Sequence, residues 1–248
     1  MSGRKIEAYG LSDIGPVRPN NEDVWISIRK YSFFALADGM GGHNAGEVAA
    51  KEAIQCLSNA IREITTFDKK SLSSKQFILF LKTAIENANQ RVFQLGKEHS
   101  SLQGMGTTLC CLYFYGDDAI YAHVGDSRIY RYRNAELKQL TQDHSLLYEL
   151  ISSGQIDAPY SLPCKNIITR AIGTSPKVLP EIASATAQQN DIFFMCTDGL
   201  TDFVSEQEME EILKASLPLK KTVKTLIERA KEKGSHDNIT ILMIKIKQ

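Results

Sequence analysis

Apolar positions along this chain cluster in short runs, then spread out at helical spacing, then cluster again. Residues 6–12, 24–29 and 32–37 are short strand-like runs, the last of them (SFFALA) almost wholly apolar. From about residue 46 to 64 the period changes. Ala49, Ala53, Cys56, Leu57, Ala60 and Ile64 recur on one face, with Glu52, Gln55, Asn59 and Glu63 opposite. Residues 75–98 repeat that pattern through Ile78, Leu81, Ile85, Ala88, Val92 and Leu95, and the polar stretch 65–74 between the two predicts a loop. Strands return at 107–115, 119–124, 128–133 and 137–141, divided by Gly116-Asp117-Asp118 and by Asn134. A short helix is predicted at 146–153, after which Gly154, Pro159, Pro163, Gly173 and Pro176 break any periodicity. Strands at 182–187 and 192–196 follow. Ser205 and Glu208 stand at capping-box spacing for a helix reaching about Ala215, residues 222–233 form another, and 239–246 close the chain as a strand. Strands and helices arrive in blocks rather than in strict alternation, which predicts antiparallel sheets with helices packed outside.

Composition narrows the class more than the function. The 248 residues are 43% apolar and 23% charged, the balance of a globular chain with a buried core. The 29 basic and 29 acidic residues cancel, so no global charge draws the protein to nucleic acid or to an anionic membrane. No signal-peptide core and no apolar run of membrane-spanning length is found. The five cysteines (Cys56, Cys110, Cys111, Cys164, Cys196) are odd in number and lack CxxC spacing, which suggests neither a disulfide framework nor a zinc site. A cytoplasmic protein without nucleic-acid or membrane partners is expected, and with no repeat or linker in sight, one domain over residues 1–248.

The chemistry lies in the acids at the ends of the strands. FFALADGMGGH runs from a buried strand into Asp38 and then into three glycines within four positions. IFFMCTDGLTD repeats the form with Asp198-Gly199 and adds Asp202; IYAHVGDS ends a strand in Asp126; SHDNITILMI sets Asp237 just before one; RPNNED carries Arg18, Glu22 and Asp23 ahead of another. Taken singly, each acid is explained as a turn or a cap. Taken together, four separate strand ends each deliver an Asp, and carboxylates that converge repel one another unless a cation sits among them. An all-oxygen ligand set without Cys or His predicts a hard ion, Mg²⁺ or Mn²⁺. A glycine after Asp38 would let its carbonyl approach such an ion without a Cβ in the way.

In order and spacing, RPNNED, ADGMGGH, GMGTT, GDSRIY, LTQDHS, TDGLTD and HDNIT closely resemble the metal-dependent Ser/Thr protein phosphatases of the PPM (type-2C) family, in its bacterial branch. The resemblance covers about residues 9–245. It implies an α+β fold: a four-layer α-β-β-α sandwich of two antiparallel sheets flanked by helix pairs, with a flap at about 143–180 beside the metal cleft. It implies hydrolysis of phosphoserine and phosphothreonine in proteins, a bacterial Ser/Thr kinase and its targets being natural substrates. By motif it makes Asp38 the ligand bridging two Mn²⁺ or Mg²⁺ ions and Gly39 a carbonyl ligand. Asp198 and Asp237 fall on one of those ions, Glu22 stands beside the other, and Asp23 orients metal-bound water. Arg18 corresponds to the phosphate-binding arginine, and Asp126 and Asp202 to ligands of a third, weaker ion.

One position departs from the family pattern. Eukaryotic members carry a histidine directly after the Asp-Gly, as proton donor to the leaving group, and here that position is Met40. His43 lies three residues on, but a lone histidine is more often structural, which leaves metal-bound water as the expected acid. Arg128 reads as half of a structural ion pair, and Thr107-Thr108 as sheet hydrogen bonding near the site. A two-metal nuclease would share the acids but should also show a basic, aromatic-laced groove, which this sequence lacks. A non-catalytic module on the same fold would be expected to have lost a ligand, and every matched acid is present.

Overall fold

Phe33, Phe34, Ala35, Leu36 and Ala37 are all fully buried, so both faces of this strand are covered. The computed structural model describes residues 5–41, 45–67, 73–154 and 167–247 and explains why. One sheet runs in the order β1 (Ile6–Asp13), β11 (Ile239–Ile246), β10 (Ile192–Cys196), β7 (Arg128–Arg133) and β8 (Glu136–Gln139). The other runs β2 (Asp23–Ile28), β3 (Phe33–Met40), β5 (Leu109–Tyr115), β6 (Asp118–Val124) and β9 (Glu181–Thr186), with the short β4 (Gly106–Thr107) paired to the end of β3. Every pairing is antiparallel.

The two sheets face each other over Phe34, Leu36, Leu112, Phe193, Met195, Leu242 and Ile244. Their outer faces are covered by helices. α1 (Ala45–Phe67) and α2 (Ser74–Glu98) bury Ala53, Leu57, Leu81 and Ile85 against Phe33, Ala35 and Ala37. On the opposite side α4 (Asp198–Thr201), α5 (Glu206–Lys214) and α6 (Leu219–Glu232) bury Leu200, Met209, Val223 and Leu226 against Phe194, Cys196 and Met243. Alternate residues of each central strand therefore serve different cores, and the period-2 signal disappears because neither face is wet. The result is the four-layer α-β-β-α sandwich. No helix among the described residues is long and apolar enough to cross a membrane.

Most predicted elements fall within a residue or two of the observed ones, the short helix expected at 146–153 being α3 (Leu146–Ser152), and the differences have physical causes. The single strand expected at 107–115 is broken at Thr108, whose groups bond to Asp38 instead of continuing the ladder. α1 is turned slightly from its predicted stripe: Ile54 and Ile61 are buried, while Cys56 is only half-buried at the margin. The TDGLTD turn is a one-turn helix, α4. The capping box at Ser205 and Glu208 forms in both directions. His43, Cys164, much of the loop at 65–74 and the middle of the 143–180 segment lie outside the described residues.

Candidate metal centre

Antiparallel pairing brings the acid-bearing strand ends to one end of the sandwich. Asp38, near the end of β3, is registered opposite Asp23 at the start of β2. Asp198 opens α4 directly after β10, Asp237 precedes β11, and Asp126 sits in the turn between β6 and β7. A cavity of about 260 Å³ is lined by Glu22, Asp38, Asp126, Asp198 and Asp237 together with Arg18 and Gly39. A smaller cavity of about 60 Å³ is lined by Asp126, Asp198, Asp143 and Asp202. Every predicted acid except Asp23 therefore lines one of two cavities that share Asp126 and Asp198. Asp23 lies behind them, buried, where Thr197 Oγ1 donates to its Oδ2 at 3.1 Å.

The electrostatics are those of a cation site. Burial, and after it the repulsion of Asp23, Asp198, Asp126 and Asp237, raises the Asp38 carboxyl well above its ordinary value. The same two causes push Asp23 and Asp126 up to about 7 and Asp198 up to about 6, and burial raises Glu22. Asp23 Oδ1 and Asp198 Oδ1 are buried with no hydrogen-bond partner among the described residues. Orphaned carboxylate oxygens in an all-oxygen cluster fit a hard divalent ion.

Such a cluster makes a measurable demand. Folded-state values above those of the unfolded chain mean that the native protein without metal retains protons the unfolded chain has already released. Stability without metal must then fall as pH rises from about 4 through about 7. In EDTA the melting temperature is expected to drop between about pH 5 and about pH 8, and added Mn²⁺ to raise it more at the higher pH. A flat melting profile in EDTA would contradict the cluster as described.

Glycine is required at position 39 for a reason beyond the one expected. A Cβ there would stand 2.2 Å from the carbonyl oxygen of Gly46, at the start of α1, and 2.8 Å from that of Glu22. Its absence lets the helix and the Glu22 segment close on the strand end. Arg18, half-exposed at the cavity, donates from Nη2 to Asp237 Oδ2 at 2.6 Å. Arg128 forms the expected ion pair, a two-pronged one with Asp143 at 2.9 and 2.7 Å.

Asn238 is a structural contributor that sequence reasoning passed over. Its Oδ1 accepts from Glu22 N–H at 2.8 Å, and its Nδ2 donates to the carbonyls of Ile14 (2.8 Å) and Asn20 (3.0 Å). Its own N–H donates to Asp237 Oδ1 at 2.7 Å. One buried side chain thus staples the loop carrying Arg18 and Glu22 to the segment that leads from Asp237 into β11. An Asn between an acid and a buried strand was the available signal.

A second cluster of metal-ligating types lies apart, where ring nitrogens of His123 and His144 and an oxygen of Glu181 come within 4.8 Å of one another. Its hydrogen bonds argue against an ion. Gly125 N–H donates to His144 Nδ1, which uses the one lone pair of a neutral imidazole and leaves Nε2 carrying the proton, 3.6 Å from Glu181 Oε1. Burial, the stacked His123 and Arg170 lower the His144 value to about 4, so the ring stays neutral. It works as a brace: His144 N–H donates to Gly125 O, and Thr169 N–H donates to His144 O.

A sandwich that gathers buried carboxylates and an arginine at one end fits a metal-dependent phosphatase. The family described as Protein phosphatase 2C matches residues 20–237, and the chain belongs to it as a protein serine/threonine phosphatase. It is 37% identical over 239 residues to the serine/threonine phosphatase stp of Listeria monocytogenes serovar 1/2a, covering 94% of this chain and 93% of that one. The solved serine/threonine phosphatase of S. agalactiae superposes with a TM-score of 0.90 at 33% identity, covering 98% of this chain and all of the other (100%). The catalytic domain of the phosphatase PstP, solved with two manganese ions, gives a TM-score of 0.84 at 32% identity, covering 98% and 99%.

Proposed function

We propose that the cluster holds two divalent cations, Mn²⁺ or Mg²⁺, and a third more weakly, for hydrolysis of phosphoserine and phosphothreonine in proteins. The observation that carries this reading is the convergence of Glu22, Asp38, Asp126, Asp198 and Asp237 on one cavity with Arg18 at its edge. The two manganese ions of PstP support it. Asp38 would bridge the pair with the Gly39 carbonyl as a further ligand. Asp198 and Asp237 would complete one ion and Glu22 would stand beside the other. Asp126 and Asp202, joined at the smaller cavity, would hold the third.

Such ions, when bound, make hydroxide available at neutral pH and neutralise phosphate charge. The chain's own residues supply the rest. Asp23, paired with Asp38 in the ladder and buried behind the cavity, would help to orient the attacking water. The Arg18 fork grips phosphate oxygens and aligns the ester for in-line displacement. Met40 lines the cavity and cannot donate a proton, so water would have to protonate the leaving alkoxide. Cys110, Cys111 and Cys196 are buried, with thiol values raised by burial, and play no part. Proteins phosphorylated by a bacterial Ser/Thr kinase, and that kinase itself, are the substrates we assign, in the cytoplasm.

Hydrolysis of p-nitrophenyl phosphate and of a phosphothreonine peptide, with Mn²⁺, Mg²⁺ or EDTA, tests the proposal. Both substrates should turn over with either metal and neither in EDTA. Arg18→Ala should mainly raise KM for the small ester, by about tenfold, a loss of about 1.4 kcal/mol of phosphate binding. An unchanged KM removes Arg18 from the phosphate site.

A further inference from the structure

We propose that Thr108 is a positioning residue that locks the backbone of Asp38 to the loop bearing Asp126, setting the acids of the two cavities as one unit. The inference rests on the assignment of those acids to metal ions.

Thr108 interrupts the ladder between β4 and β5, and the freed groups go to Asp38. Asp38 N–H donates to Thr108 Oγ1 at 3.0 Å, and Thr108 N–H donates to Asp38 O at 2.8 Å. Thr107 Oγ1 donates to the same carbonyl at 2.8 Å. The Thr108 hydroxyl then reaches Ser127 Oγ at 2.7 Å, one residue past Asp126. Its methyl serves the other flank. A Cβ at Gly125, whose φ is +103°, would lie 2.7 Å from Thr108 Cγ2, so the methyl fills the space that glycine leaves. Gly125 therefore rests on the methyl and Ser127 on the hydroxyl, and Asp126 is held between them.

Two features make this more than local packing. Thr108 and Ser127 are each only 1% exposed, so a hydroxyl removed at either one leaves a buried polar partner behind. Threonine is branched at Cβ, so a single rotamer fixes methyl and hydroxyl together, and the Asp38 amide cannot shift without moving the support under Asp126. Hydrogen-bonded supports behind metal ligands commonly change metal affinity or activity by about 10- to 100-fold when removed.

Thr108→Val keeps the shape and removes the hydroxyl, whereas Thr108→Ser keeps the hydroxyl and removes the methyl. The measurements are Mn²⁺ binding by calorimetry, melting temperature in EDTA, and kcat on a phosphothreonine peptide at saturating Mn²⁺. Thr108→Val is expected to bind Mn²⁺ and turn over at least about tenfold less well, and Thr108→Ser, which keeps the hydroxyl bonds but loses the methyl under Gly125, to fall about threefold in both. If Thr108→Val fails to fold, Ser127→Ala reads the same link from its far end and should weaken Mn²⁺ binding by about threefold or more. Wild-type Mn²⁺ affinity and kcat per folded molecule in Thr108→Val, or in Ser127→Ala where that variant is used, would overturn the proposal, as would a serine variant that falls as far as the valine. A wild-type chain that takes up no Mn²⁺ overturns the metal assignment itself, before any variant is compared.

Discussion

Asp38→Asn should abolish turnover while leaving the fold intact. Asparagine fills the same volume but brings no charge, and a group shared between two divalent cations cannot do without one. The carboxyl is buried among Asp23, Asp198, Asp126 and Asp237, whose repulsion the substitution relieves. The metal-free variant should therefore melt no earlier than wild type, and above neutral pH somewhat later. Loss of kcat by at least about 10³-fold, roughly 4 kcal/mol of barrier, is expected at saturating Mn²⁺. A variant that kept more than about a tenth of the wild-type rate, less than about 1.4 kcal/mol, would remove Asp38 from the bridging position.

Asp126→Ala should cost less than Asp38→Asn, and it separates two readings of one residue. As a turn cap between β6 and β7, Asp126 would contribute about 1 kcal/mol of stability and nothing to the rate per folded molecule. As a ligand shared with Asp202, it would leave two tightly held ions and an unchanged fold, yet kcat should fall about 100-fold, roughly 2.7 kcal/mol. The geometry favours the second. Burial and the charges of Asp198, Asp143 and Asp202 all oppose ionisation of Asp126, an arrangement that destabilises a mere cap. Thermal unfolding, metal stoichiometry and kcat on a phosphothreonine peptide decide between them. A lowered melting point with unchanged kcat restores the cap.

Much of this was legible in the chain because burial leaves a strong mark. Both faces of β3, β10 and β11 are covered, so they read as apolar runs and the acids near their ends stand out, although β3 continues past Asp38 to Met40. What the pattern could not carry was pairing. Which strands share a sheet, and that Asp23 falls opposite Asp38, depends on long-range register; only the family resemblance brought the acids together in advance. Short features were also lost. TDGLTD reads equally as a turn or as the single helical turn it forms, because four residues carry no periodicity. The break at Thr108 and the Asn238 staple are decisions of side-chain hydrogen bonding, and neither alters the hydrophobic pattern. The glycine after Asp38 was identified as necessary, but its closest neighbours are the backbones of Gly46 and Glu22.

If these carboxylates work by holding cations, titrating Mn²⁺ calorimetrically into metal-stripped protein while following phosphothreonine-peptide hydrolysis in matched samples will show it. Expected are no hydrolysis in EDTA, uptake of two ions with high affinity, and a rate that rises with their binding. Full hydrolysis in metal-free buffer, or saturating Mn²⁺ uptake with no change in rate, would contradict it.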